Sequence, residues 1–149
     1  MNRIICIGNR LLDRDAAGPK VFDALSQRPL PEGVELVDGG TAGLNLLGLV
    51  DGAERVVFVD AVEGFLPQAG ITVLDAADVP PPAAVYDHGA GLSYLLNVIP
   101  AACDRAPSSI FVVCVEGAPE ERLIVEAAAT SLRLASAGVA GTICLGGKP

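Results

Sequence analysis

Residues 56–60, Val-Val-Phe-Val-Asp, say most about the fold, because four apolar residues in a row stand directly before a carboxylate. A continuous run rich in β-branched residues is typical of a strand that is buried on both faces of an α/β sheet. Asp60 stands where this run ends. We therefore expect Asp60 at the carboxyl edge of the sheet, which is the edge where α/β proteins bind their ligands.

Two other segments can reach the same edge of the predicted sheet. Residues 8–15, Gly-Asn-Arg-Leu-Leu-Asp-Arg-Asp, follow the first apolar run, and Asp-His-Gly at 87–89 contains the only histidine of the chain. Asp15, Asp60 and His88 would together form a small site of two carboxylates and one imidazole. This set suits Zn²⁺ or Ni²⁺ with positions left for water or substrate, whereas Ca²⁺ and Mg²⁺ require more oxygen ligands.

Each of these three residues also has a simpler explanation when it is taken alone. Asp15 and Asp60 could cap the helices that follow them, and His88 could be a surface residue. Their placement favours a shared site, because both acids are expected in loops after strands and the histidine has glycine beside it. A serine or cysteine nucleophile has little support, since no GxSxG motif occurs and Cys6 and Cys114 fall within predicted strands.

The apolar pattern predicts an α/β fold. Strands are predicted at 3–7, 34–37, 55–59, 71–74 and 109–115. Helices are predicted at about 19–27, 44–50, 89–102 and 120–137. Only residues 61–70 separate the third strand from the fourth, and a parallel return usually needs about a dozen residues or more, so we expect the fourth strand to be antiparallel. The predicted fold is a three-layer α/β/α sandwich around a five-stranded, mostly parallel mixed sheet with one antiparallel strand.

Composition limits the classes of function. The chain has 149 residues, of which 51% are hydrophobic and 19% charged, as expected for one compact domain over residues 1–149. Its net charge of -8 argues against binding to nucleic acid or anionic lipid. No apolar run approaches the roughly 18 residues that a membrane span needs, so no membrane insertion is expected. The four cysteines form no CxxC pair, and we expect reduced thiols in a cytoplasmic protein.

Four motifs follow one another along nearly the whole chain. The first is Gly-Asn-Arg-Leu-Leu-Asp-Arg-Asp-Ala-Ala-Gly at 8–18, after a strand. The second is Asp-Gly-Gly-Thr-Ala-Gly at 38–43, and the third is the apolar strand that ends in Asp60. The fourth is His88 in a glycine-rich loop, followed by Leu92. In this order they resemble the motifs of the hydrogenase maturation endopeptidases, whose first motif is GN-x-L-x-x-D-E-x-x-G after a strand.

The resemblance implies an endopeptidase that removes the C-terminal extension of a nickel–iron hydrogenase large-subunit precursor after nickel insertion. It also implies a sandwich around a five-stranded mixed sheet with one reversed strand. The catalytic and metal-contacting residues that it implies are Asp15, Asp60 and His88. The substrate-binding residues that it implies are Asp38, Gly39, Gly40 and Thr41. Nickel would be supplied by the precursor as the recognition element, and no organic cofactor is expected.

Two departures from the family pattern bear on which hydrogenase would be the partner. Arg14 stands where family members often carry a second acid, and residues 113–119 match the family's Gly-Val or Gly-Ile followed by Pro only loosely. A second interpretation is a non-catalytic, nickel-binding or chaperone-like module that holds the precursor without cutting it. A nucleotide-binding domain is the least favoured interpretation, because residues 8–12 match neither GxGxxG nor GxxxxGK[ST].

Overall fold

The computed structural model describes residues 1–41, 43–64, 66–76 and 90–140. The strands are β1 (Asn2–Ile7), β2 (Val34–Gly40), β3 (Arg55–Val62), β4 (Gly70–Asp75) and β5 (Ser109–Glu116). The α-helices are α1 (Ala17–Ser26), α2 (Leu47–Val50), α3 (Ala90–Ala102) and α4 (Glu121–Ala140). Short 3₁₀ turns at Asp13–Asp15 and Gly43–Leu46 precede α1 and α2. The five strands form one sheet in the order β2-β1-β3-β5-β4.

Strand β3 lies at the centre of the sheet, with parallel neighbours β1 and β5. All six of its residues from 56 to 61 are buried, as the apolar run predicts. Because successive side chains of a strand point to opposite faces, Val57 and Val59 join the cluster covered by α1 and α4, while Val56 and Phe58 join the cluster covered by α2 and α3. The predicted three-layer sandwich is therefore confirmed.

The direction of β4 follows from its short connection to β3. Strand β4 pairs with β5 in the antiparallel direction, as predicted, while the other pairs of the sheet are parallel. Among the described helices, none has the length and apolar character needed to cross a membrane. Cys6 and Cys114 are buried free thiols, as their positions in strands predict, and Cys103 is also free.

Two strand ends were wrong in the sequence prediction. Asp60 was expected in the loop after the third strand, but β3 continues to Val62, because β5 is long enough to pair with Asp60, Ala61 and Val62. Asp38 was expected to begin a loop, but β2 continues to Gly40 through parallel pairing with β1. Both errors have one cause: the pairing of backbone N–H and C=O groups depends on the neighbouring strand and not on the local side chains.

Helix α3 runs from the carboxyl edge of the sheet to its amino edge. Just after α3, the N–H of Arg105 donates to Asp51 Oδ1 at 2.7 Å, and the Arg105 carbonyl accepts from the N–H of Gly52 at 2.8 Å. Asp51 and Gly52 precede β3 and therefore mark the amino edge. A helix of 13 residues is about 20 Å long, which matches the strands, so its first turn lies at the carboxyl edge.

Two glycines fold residues 9–15 back over the end of β1. A Cβ atom on Gly18, in the first turn of α1, would lie 2.0 Å from the carbonyl oxygen of Ile7. A Cβ atom on Gly8 would lie 2.2 Å from the carbonyl oxygen of Asp15, and Gly8 has a φ of 148°. Only glycine permits both contacts, so α1 and the segment before it pack directly on the backbone of β1.

We predict that Gly18→Ala destabilises the protein by about 2 kcal/mol or more, because its methyl group would overlap a backbone oxygen that cannot move aside. Thermal unfolding should then show a melting temperature lower by about 6 °C or more. Gly48→Ala is the matched control, since Gly48 lies in α2 and a Cβ there meets no atom within 4 Å. Equal melting temperatures for the two variants would contradict the close contact.

Candidate functional site

Asp15 is held in place by the backbone of its own loop. The N–H of Asn9 donates to the carbonyl oxygen of Asp15 at 3.0 Å and to Asp15 Oδ2 at 3.0 Å. The N–H of Asp15 donates to the carbonyl of Leu12 at 2.8 Å. Helix α1 has Ala16 as its N-cap and no capping bond from a side chain, so the alternative role of Asp15 as a helix cap is wrong.

Asp60 is a carboxylate buried inside the central strand. It is 5% exposed, although its neighbours along β3 are apolar. Burial, together with the negative charge of Asp15, raises the pKa of Asp60 to about 8, although a backbone hydrogen bond with Ala61 acts in the opposite direction. Because the charge of Asp15 acts on Asp60, the structure brings these two predicted site residues together.

The two acids lie at the point where the order of strands reverses. From β1 the chain passes to β2 on one side of β1, and β3 lies on the other side. In open α/β sheets, ligands bind in the crevice outside the carboxyl ends of the two strands at such a point. Asp15 follows β1, and Asp60 lies near the carboxyl end of β3. Both carboxylates are therefore at this crevice.

His88 lies outside the described residues, and the structure therefore does not locate the third member of the predicted site. In the parts of the chain that are described, no group of three or more histidine, cysteine, aspartate or glutamate side chains is arranged to hold a metal ion. The two carboxylates are nevertheless suited to a cation. A positive charge between them would offset both the burial of Asp60 and its repulsion by Asp15.

The four predicted substrate-binding residues lie at the end of β2, on that side of the crevice. Asp38, Gly39 and Gly40 end β2, and Thr41 follows as an exposed residue. The N–H of Gly40 donates to Asp38 Oδ1 at 3.3 Å. The carbonyl of Gly40 accepts from the N–H of Gly8 at 2.9 Å, which joins this segment to the loop that carries Asp15.

Arg10 is a second link between these segments, and it was not among the site residues predicted from the sequence. Its Nη1 lies 3.0 Å from Asp23 Oδ2, on α1, and its Nη2 lies 3.5 Å from Asp38 Oδ2. The only signal in the sequence is a basic residue close to acidic ones, and Arg14 in the same loop shares that signal. Arg10 therefore connects the loop of Asp15 with the end of β2 by charge as well as by position.

Glu116 also has a role that was not predicted from the sequence. Its two carboxylate oxygens accept from the N–H groups of Gly64 at 2.9 Å and Leu66 at 3.1 Å. The side chain at the end of β5 thus holds the segment that follows β3. A single acid after a strand carries no local signal of this role, because its partners lie about 50 residues earlier in the chain.

The cysteine thiols near the sheet are poor nucleophiles. Burial, followed by the negative charges of Asp60 and Glu116, raises the pKa of Cys114 to about 12. Burial likewise raises the pKa of Cys6. Both thiols therefore stay protonated at neutral pH, and the thiolate is the reactive form. This agrees with the absence of a nucleophile motif in the sequence.

Comparison with known proteins identifies similar sequences and folds. A family model described as "HycI: Hydrogenase maturation protease" matches residues 19–131. The chain is 34% identical over 101 residues to the "Hydrogenase 2 maturation protease" of Escherichia coli K12, a match that covers 64% of this chain and 61% of that protein. It is 38% identical over 79 residues to "Hydrogenase expression/formation protein HupD" of Rhodobacter capsulatus, covering 52% of this chain and 37% of that protein.

A solved structure has the same fold over nearly its full length. The structure titled as the hydrogenase maturating endopeptidase HybD from Escherichia coli superposes with a TM-score of 0.74 and 28% sequence identity. The superposition covers 94% of this chain and 93% of that one. By contrast, the sequence matches span less than two thirds of the length of the two relatives described above.

We predict that Asp60→Asn raises stability by a margin that grows from pH 5 to pH 8. The pKa of Asp60 is about 8 in the folded state and 3.8 in the unfolded chain. Between these two pH values the folded state keeps a proton that the unfolded state has lost. The free energy of unfolding therefore falls as pH rises across this range, and asparagine, which does not ionise, removes that loss. At pH 8 we expect a gain of about 2 kcal/mol or more.

Urea unfolding at pH 5 and pH 8 measures this gain. Asp104→Asn is the matched control, since Asp104 is an exposed acid just after α3, at the amino edge. Its stability should follow the wild type at both pH values. A loss of stability in Asp60→Asn that is the same at pH 5 and pH 8 would contradict the raised pKa.

Proposed function

The chain belongs to the hydrogenase maturation protease family, and we propose that it is the endopeptidase that removes the C-terminal extension of a nickel–iron hydrogenase large-subunit precursor after nickel insertion. The observation that carries this proposal is the pair of carboxylates Asp15 and Asp60 in the crevice between β1 and β3. Membership of the family supports the reaction class. We place this reaction in the cytoplasm, in keeping with the free cysteines.

In this proposal the nickel belongs to the substrate. Asp15 and Asp60, together with His88, contact the nickel that the precursor already carries. A cation offsets the repulsion between the two acids, so a precursor that holds nickel gains contact energy that an empty precursor lacks. The enzyme would thereby cut only after nickel has been inserted. No organic cofactor is required for this chemistry.

Peptide hydrolysis needs a water molecule to attack the scissile carbonyl and a proton to reach the leaving amine. Two activators are compatible with the proposed site: nickel that polarises the water, or one of the carboxylates as a general base. The buried, protonated thiols of Cys6 and Cys114 support a mechanism without a covalent intermediate. Asp38, Gly39, Gly40 and Thr41 would bind the precursor chain beside the crevice.

A second candidate function is a module that binds the nickel-bearing precursor without cutting it. The observation that favours it is Arg14, an exposed cation in the first motif where family members often carry an acid. A positive charge beside Asp15 would weaken the attraction of the crevice for a metal ion. This alternative requires a stable complex in which the mass of the precursor never changes.

We predict that the intact mass of a nickel-loaded precursor falls by one short C-terminal peptide after incubation with this protein, while the nickel-free precursor keeps its mass. Asp60→Asn and His88→Ala should abolish the cleavage, because each removes a contact to nickel. Asp60→Asn is the more informative variant, since it is expected to be more stable than the wild type, and lost activity would then not reflect unfolding.

Asp104→Asn, far from the crevice, should cleave at the wild-type rate. Cleavage of both the nickel-loaded and the nickel-free precursor would support the protease activity but contradict its dependence on nickel. Binding of the precursor without any loss of mass would favour the non-catalytic module. Full cleavage by His88→Ala would count against the proposed site.

A further inference from the structure

The loop that carries Asp15 also exposes two neighbouring leucines. Leu11 is 87% exposed and Leu12 is 45% exposed. In the described parts of the chain, the other large apolar side chains that are exposed, Met1 and Val125, stand singly on other elements. Single exposed apolar residues are common on protein surfaces, whereas adjacent ones that flank a site are characteristic of interaction surfaces.

The exposure of Leu11 is imposed by an ordered loop. Its own N–H donates to Asn9 Oδ1 at 2.9 Å, and the N–H of Leu12 donates to the carbonyl of Asn9 at 3.1 Å. The same Asn9 is bonded through its N–H to Asp15, which closes the loop. The backbone of such a preorganised loop loses little conformational entropy when the loop binds a partner.

The leucines lie one turn from the crevice. The hydrogen bond from the N–H of Asp15 to the carbonyl of Leu12 closes a turn, in which the Cα atoms of the first and last residues are within about 7 Å. A molecule that brings a metal ion to Asp15 must therefore approach the two leucines as well. Arg10, paired with Asp23 and Asp38, gives this apolar surface a charged rim, which is the arrangement found at protein interfaces.

We propose that Leu11 and Leu12 form an apolar anchor that docks into an apolar pocket of the hydrogenase precursor beside its nickel. This inference rests on the proposed function, and it assigns the part of the protein surface that selects the precursor polypeptide rather than its metal. A second copy of this chain is a less suitable partner for the two leucines. Two leucines supply far less than the roughly 1,200 Å² that a stable dimer interface buries, and self-association here would cover Asp15.

The test compares Leu11→Ser with the apolar variant Leu11→Met and with Val125→Ser. Val125 is 54% exposed on α4, a helix that covers the face of the sheet opposite to Phe58, and it serves as the matched control. Binding of the nickel-loaded precursor is measured at equilibrium, and cleavage is followed by intact mass at saturating enzyme. Melting temperatures of all three variants should equal the wild type, because neither side chain is buried.

We expect Leu11→Ser to raise the Kd by about tenfold or more, in line with the loss of one leucine side chain that is buried in the complex. Leu11→Met and Val125→Ser should stay within about twofold of the wild type. The cleavage rate of Leu11→Ser at saturation should be nearly unchanged, since a contact made equally before and during the reaction alters binding alone.

If Leu11→Ser binds the precursor as tightly as the wild type and the wild type cleaves it normally, the anchor role of Leu11 is contradicted while the proposed function stands. Slow cleavage at saturation with an unchanged Kd would overturn the anchor role too, since Leu11 would then act on the chemistry. A wild-type dimer in sedimentation that Leu11→Ser dissociates would assign the surface to a second copy. Failure of the wild type to bind or cut the nickel-loaded precursor would overturn both proposals.

Discussion

Apolar packing on both faces of β3 fixes the arrangement of the sheet and of its two helical layers. Residues 56–61 are buried without interruption, so β3 must be central, with a helical layer on each face. Asp60 is the single ionisable residue in this buried run. Its burial carries a cost in the absence of a positive partner, as its raised pKa shows. Strain of this kind in an otherwise consistent fold is expected at functional positions.

The position of Asp15 depends on backbone contacts that leave no room for a side chain. Gly8 and Gly18 allow the first loop and the first turn of α1 to pack on β1, and the N–H of Asn9 then holds the Asp15 carboxylate. A further bond, from the N–H of Leu11 to the Asn9 side chain, keeps Leu11 at the exposed surface of this loop. One loop therefore presents a charged group and an apolar group in a fixed relation. In the proposed function, recognition of metal and recognition of protein are coupled through this loop.

The first and second motifs form one surface although 19 residues, 19–37, separate them in the sequence. Pairing of β1 with β2 brings their ends together, and the bond from Gly8 to Gly40 extends that pairing beyond β1. Arg10 adds a charge contact to Asp38. Exposed ion pairs contribute little to stability, so the value of this contact lies in the relative position of the two loops. A change at Arg10 would thus affect the crevice from outside it.

Local signals in the sequence are enough to predict the buried strand at 56–60, the helices, and the reversed direction of β4, which follows from a short connection. They also indicate which acids to consider. The order of the strands, the continuation of β3 past Asp60 and the exposure of Leu11 are visible only in the folded chain. These depend on which backbone lies alongside, and hydrogen bonding between strands, like the close contacts at Gly8 and Gly18, joins residues whose separation in the chain carries no local signal.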